Sequence, residues 1–277
     1  MKKKIFAVVL CISMLAIAIV GGSLAYFTDT EGAKNVMTVG NVNIVQDETN
    51  EEGTAFQDNQ KLYPVTGENT EASNTAYYNG NVMSTDQNWI SKIVTVYNEG
   101  SEDAYVRTLF AFELPVDAEG NVLEYPAADG ANLAWRTKHG LHYNISGGPT
   151  GSILFPKTAA DEYIIYTAAD GTKYMVGEYL YMTNGDSMLK GSATTGTVGE
   201  RSHPSLVSIG LESTVDNAVA ARYRDYEILV VSQATQTAGF VDTNGNGAIC
   251  DDALNTAFGE LASADNAKLT EWFANAQ

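Results

Sequence analysis

Histidine, cysteine and basic side chains are all scarce in this 277-residue chain, and each scarcity closes off a class of function. The three histidines are His139, His142 and His203. A helical zinc protease needs His-Glu-x-x-His, which sets two imidazole ligands and a general base on one helix face; no such run occurs. His139 and His142 lie three apart in a stretch rich in Gly and Tyr, where they read as loop residues. There is no Gly-x-Ser-x-Gly elbow, and Cys250 has no histidine near it in sequence. The chain is therefore expected to be non-enzymatic.

The two cysteines are Cys11 and Cys250. Cys11 falls in an N-terminal leader, so the mature chain keeps Cys250 alone and forms no internal disulfide. Burial and hydrogen bonding must hold the fold. Cys250 reads as a small apolar residue of a local loop or helix, the other reading being a bond between chains. Sixteen basic residues face thirty-four acidic ones, a formal charge of −18 that becomes −21 once the three leader lysines are removed. Such a surface repels nucleic acid and anionic membrane, favours solubility outside the cell and attracts divalent cations.

Long apolar runs are also missing after the first 25 residues. Lys2, Lys3 and Lys4 precede an apolar run at 5–20 interrupted only by Ser13, which ends in Gly21-Gly22-Ser23-Leu24-Ala25. This is the pattern of a secretory signal peptide. The run is shorter than the ~20 residues of a spanning helix. Ser23 and Ala25 supply the small side chains a signal peptidase needs, placing the cut between Ala25 and Tyr26. Secretion, with no stable membrane insertion after cleavage, is expected.

Beyond the cut, Tyr26-Phe27-Thr28-Asp29-Thr30 leads through a polar link to Val36-Met37-Thr38-Val39-Gly40-Asn41-Val42-Asn43-Ile44. Residues 21–44 resemble the export signal of the TasA and camelysin family, whose members are cut by a dedicated SipW-type signal peptidase. The apolar alternation over 36–44 is imperfect, as in a strand buried on both faces or one with a bulge near Gly40.

Residues 46–87 are acidic and polar and read as solvated connection, with Leu62-Tyr63-Pro64-Val65 as the one segment able to pack. Residues 90–97 and 104–114 are rich in β-branched and aromatic side chains and flank Asn98-Glu99-Gly100-Ser101, a pattern that predicts a β-hairpin. Arg107, within it, reads as structural, answering a carboxylate or loop carbonyls. A second hairpin is expected from 162–166 and 173–181 around Asp170-Gly171. Residues 182–205 read as loop anchored by Leu189, 206–211 as a short strand, and 226–232 as a central strand. From Asp251 the period turns helical: Leu254, Ala257, Phe258 and Leu261 recur on one face. Ser263 is placed to cap a second helix carrying Leu269, Trp272 and Phe273, and these helices are expected over an edge or end of the sheet.

Further similarity to the same family lies in Lys92-x-Val94-x-Val96-x-Asn98-x-Gly100, in Tyr226-Glu227-Ile228-x-Val230, and in Ala253-Leu254-Asn255-x-Ala257-Phe258-Gly259. The resemblance thus runs along the mature chain. It implies an all-β fold, an antiparallel β-sandwich of jelly-roll type, with long loops and a short C-terminal helical segment. Residues 1–25 are the cleaved signal, 26–240 the β-domain with loop insertions at about 115–205, and 241–277 an Asp/Asn loop with C-terminal helices.

Asp242-Thr243-Asn244-Gly245-Asn246-Gly247 puts oxygen side chains at alternating positions ahead of a glycine, as in the first two thirds of a calcium loop. The twelfth position is Ala253 rather than an acid, so Asp251 or Asp252 would have to complete a Ca2+ shell; the plainer reading is an Asn-Gly turn before a helix.

The resemblance implies a secreted subunit of an extracellular matrix or cell-surface fibre of a Gram-positive bacterium, self-associating or joining other matrix proteins. In TasA-like fibres the segment freed by signal removal is donated as a strand to the next subunit. On this chain that segment is 26–34, with Tyr26 and Phe27 as anchors followed by Thr28 and Asp29. The alternatives are a calcium-stabilised adhesin or binding module and a camelysin-like metalloprotease.

Overall fold

The computed structural model describes residues 28–32, 42–50, 52–57, 62, 64–65, 90–116, 119–122, 141–144, 153–181, 188–212, 226–240, 249–274 and 276. Most of the regular structure among them is β-strand, in two sheets. The first, sheet A, runs in the order β1 (Thr28–Gly32), β10 (Ile228–Gln236), β5 (Ala104–Glu113), β8 (Lys173–Leu180), β7 (Ile165–Thr167), with every neighbouring pair antiparallel. Sheet B runs β2 (Ile44–Thr49), β4 (Ile90–Asn98), β9 (Leu206–Glu212), β3 (Pro64–Val65), and β6 (Leu141–Asn144) also pairs with β9. Only the two-residue contact of β3 with β9 is parallel. Helices α1 (Ser192–Thr195), α2 (Ile249–Phe258) and α3 (Asn266–Phe273) follow in chain order. The expected mostly-β fold with a short helical C-terminal segment is what forms.

β5 explains the layering. Nine of its ten residues are buried, so neither face meets water. Phe110 and Phe112 point to sheet B and cluster with Val94, Leu206 and Ile209, joined by Val230 of β10. Leu109 and Ala111 point the other way and pack with Leu229, Val231, Tyr174 and Val176 under Leu261, Leu269, Trp272 and Phe273. The C-terminal helices therefore cover the outer face of sheet A rather than an edge or end. Alternating strand residues must each find an apolar layer, and this sequence supplies two. Burying one such side chain is worth roughly 1.5–3 kcal/mol.

The expected first hairpin does not form. β4 belongs to sheet B and β5 to sheet A, and the turn between them carries the chain from one sheet to the other. A hairpin would set their apolar faces side by side, whereas Val94 meets Phe110 and Phe112 across the core. Asn98, fully buried, fixes the crossing: its Nδ2 donates to Glu102 O at 2.9 Å and Leu189 O at 3.0 Å, and its Oδ1 accepts from Gly100 N at 2.9 Å. Leu189 is fully buried there.

The second expected hairpin forms between β7 and β8. Gly171 supplies the positive φ of 92° in its turn, and Asp170 Oδ1 accepts from Thr172 N at 2.9 Å. Further along β8, Gly177 leaves room for Ile153 and Phe155: an added Cβ would lie 2.7 Å from the former.

Two other expectations are corrected. Residues 46–49 are not solvated connection but the body of β2, paired with β4 from Ile44↔Asn98 to Thr49↔Ile93. Their polar side chains hide the strand, because Gln46 is buried by hydrogen bonding between the sheets rather than by apolar contact. The second helix is capped by Asp265, whose Oδ1 accepts from Lys268 N at 2.8 Å, and Ser263 lies in a 3-10 turn at Leu261–Ser263. The strand expected over 36–44 falls mostly outside the described residues.

Candidate functional site

The N-terminal edge of sheet A contains five of the residues expected to donate a strand, Thr28–Gly32. Thr28 and Asp29 begin β1, which lies antiparallel on β10 in the register Thr28↔Thr235, Asp29↔Ala234, Thr30↔Gln233, Glu31↔Ser232, Gly32↔Val231. Ala25, Tyr26 and Phe27 lie outside the described residues, as does the leader. β10 is anchored on its other side by nine pairs to β5, from Ile228↔Phe112 to Gln236↔Ala104. It therefore presents β1 with a fixed row of backbone donors and acceptors. Its own side chains are already committed: Val230 faces sheet B, while Leu229 and Val231 face the helices.

Beneath α2 the outer face of sheet A holds a buried cation. Arg107 is fully buried, and burial lowers its pKa, opposed by Glu178 and Asp251. Arg107 Nε donates to Gln233 Oε1 at 2.8 Å, Nη2 to the Gly259 carbonyl at 3.0 Å and Nη1 to Asn255 Oδ1 at 3.4 Å. Its guanidinium lies 5.0 Å from the Trp272 ring centroid and 5.7 Å from that of Phe258. Glu178 Oε2 sits 3.6 Å from Nη1, an ion pair with no hydrogen bond to that oxygen. Burial outweighs this attraction and raises the Glu178 carboxyl above its ordinary range. The cluster joins β5, β8, β10 and the helices. It can clamp the helical layer to the sheet, and its charges answer one another.

The sequence placed Arg107 but not its partners. Glu178 carried a signal, a single acid inside Tyr174-Met175-Val176-Gly177-Glu178-Tyr179-Leu180. Gln233 and Asn255 carried none, because amides are common in exposed positions too.

Of the calcium-loop residues, Asp242, Asn244 and Asn246 lie outside the described residues. Asp251 and Asp252 stand in the first turn of α2. Asp251 Oδ1 accepts from Asn255 Nδ2 at 3.0 Å, so one of its oxygens already serves the helix. Among the described residues no three His, Cys, Asp or Glu side chains group to hold a metal ion. Cys250 is buried with Tyr105, Ala253 and Leu254, and burial pushes its thiol up to about 12. A thiol so placed is poorly nucleophilic and closed to a second chain. His203 stacks on Tyr181 at 6.4 Å between ring centroids, and burial lowers its pKa. No helix among the described residues is long and apolar enough to cross a membrane.

No protein-family model matches the sequence, and no curated protein or solved structure does so either.

Proposed function

We propose that the chain is a secreted, non-enzymatic subunit of an extracellular matrix or cell-surface fibre, assembling by donation of its N-terminal strand. The observation that carries this reading is the pairing of β1 with β10. Thr28–Gly32, which a cut between Ala25 and Tyr26 would leave two residues from the new N-terminus, form the strand at the end of sheet A. A strand at a sheet edge is held by backbone hydrogen bonds, which an identical strand from another copy supplies equally well. Exchange then links each subunit to the next by a head-to-tail contact, which builds a filament where the rotation between subunits does not close into a ring. The two sheets fit a β-sandwich of jelly-roll type, whose open sheet edges allow such an exchange. The resemblance of residues 21–44 to TasA-type export signals supports processing by a SipW-type peptidase and a Gram-positive source.

The test is deletion of residues 26–34. The chain beginning at Tyr26 is expected to form fibres visible by electron microscopy, and the shortened chain to remain monomeric by light scattering. Fibres from the shortened chain would refute strand donation.

A further inference from the structure

Sheet A ends at β1 on one side and at β7 on the other. β7 is bonded to β8 at Ile164, whose carbonyl accepts from Val176 N at 3.0 Å, and the chain after it at Ala168, whose N–H donates to Thr172 O at 2.8 Å. Alternation along an antiparallel ladder turns the N–H and C=O of Ile165 and Thr167 away from β8. Both Thr167 groups are taken by one side chain. Asn266 Oδ1 accepts from Thr167 N at 2.7 Å, and Asn266 Nδ2 donates to Thr167 O at 3.0 Å. A neighbouring strand would make this same reciprocal pair, and the carboxamide reproduces it because it carries the donor and acceptor of a peptide group.

The rest of this edge is apolar. Ile165 is 36% exposed, and Leu154, which continues the edge by exchanging backbone bonds with Glu178 at 2.7 and 2.8 Å, is 52% exposed. Between them the chain turns outward through the Lys157↔Tyr163 bridge, with Lys157 and Asp161 paired at its turn. The stretch open to a further strand is therefore Ile165–Thr167. With Thr167 occupied, Ile165 alone is left, and one residue cannot hold a ladder.

We propose that Asn266 closes the β7 end of sheet A to a second copy of this chain, so that copies join through the β1 end; the last clause alone rests on the strand-donation reading. Without the carboxamide, β7 presents two outward residues, an exposed isoleucine and no charge of its own, the features that let edge strands pair with one another. Two copies would then join β7 to β7, and fibres growing head-to-tail would also fuse side by side. The guard is firmly held. Asp265 caps α3, Leu269, Trp272 and Phe273 are buried against sheet A, and the Phe273 ring lies 5.4 Å from that of Tyr166 on β7. The C-terminal layer thus closes one edge of the sheet while it covers one face.

The experiment compares the mature chain beginning at Tyr26 with its Asn266→Ala variant at equal concentration, by light scattering and electron microscopy, with folding checked by circular dichroism. Wild-type particles set the baseline whatever their size, so the reading does not depend on whether the N-terminal strand is donated. The mean particle mass of the variant should rise about twofold or more, the step from one copy to a β7-joined pair. Adding Ile165→Lys to Asn266→Ala should return it to the baseline, because a charged side chain on an edge opposes pairing. Should Asn266→Ala not fold, Asn266→Ser, whose hydroxyl is too short to span both Thr167 groups, is read in the same way. A folded variant at the wild-type particle mass overturns the proposal. So does an increase that survives Ile165→Lys, since the new contact would then lie elsewhere.

Discussion

The two ends of the chain meet the same sheet in opposite ways. β1 lengthens sheet A at its edge, pairing five residues with β10. The C-terminal helices cover its face: Leu254, Leu261, Leu269, Trp272 and Phe273 are almost wholly buried, and Arg107 ties the sheet to the Gly259 carbonyl. An edge strand is replaceable by an equivalent strand, because the backbone bonds lost in one copy reappear in another. A covered face is not, because lifting it exposes apolar area and strands a charge. In the proposed fibre, then, the N-terminal end moves between subunits while the C-terminal end keeps each subunit whole.

The largest way to break that contrast is Arg107→Met. Glu178 would lose its counter-ion and Gln233 and Gly259 their donor, so stability should fall by about 3–5 kcal/mol, measured by urea unfolding. A change under about 1 kcal/mol, the level of an exposed pair, would mean that the cluster does not clamp the helices. Leu269→Ala comes next, at roughly 2–5 kcal/mol for a buried leucine, with loss of the Trp272 near-ultraviolet signal as the helix loosens. Asp265→Ala removes the cap of α3 and should lower stability by about 1 kcal/mol, read as a drop in melting temperature. None of the three should prevent the N-terminal strand from pairing in the molecules that remain folded.

Glu178→Gln gives the smallest effect, and its sign follows from burial. The folded-state pKa of Glu178 lies above its ordinary value of 4.5. The folded chain thus keeps that proton to higher pH than the unfolded chain does. Its contribution is full below pH 4.5 and is lost as pH rises through the folded pKa. Glutamine cannot titrate, so the variant should lose less stability over that window than wild type. Parallel profiles of melting temperature against pH would contradict the assignment.

Strand positions were legible wherever side chains were apolar: β4, β5, β9 and β10 all stand near their expected places, and Asp-Gly marked the β7–β8 turn. Strand partners were less so. The Asn98 turn looks like a hairpin in sequence, and only packing of Val94 against Phe110 and Phe112 makes it a crossing between sheets. β2 was hidden because Gln46, Asp47 and Glu48 read as solvated, while Gln46 is buried through Ser232. The helices were visible by period, but the face they cover depends on β5 being apolar on both sides. Of the expected functional residues, Thr28 and Asp29 fall on a strand, and the calcium loop and cleavage site lie outside the described residues. Arg107 could be placed from sequence, whereas its partners come from four elements far apart in the chain.

The central claim is that the segment at 26–34 links one subunit to the next. The most direct measurement mixes two populations of the mature chain beginning at Tyr26, one with Thr28→Cys and one with Thr235→Cys, residues opposite each other in the β1–β10 register. Strand donation predicts fibres in which oxidation joins the two populations through a disulfide. Fibres with no such cross-link, or a mixture that stays monomeric, would contradict it.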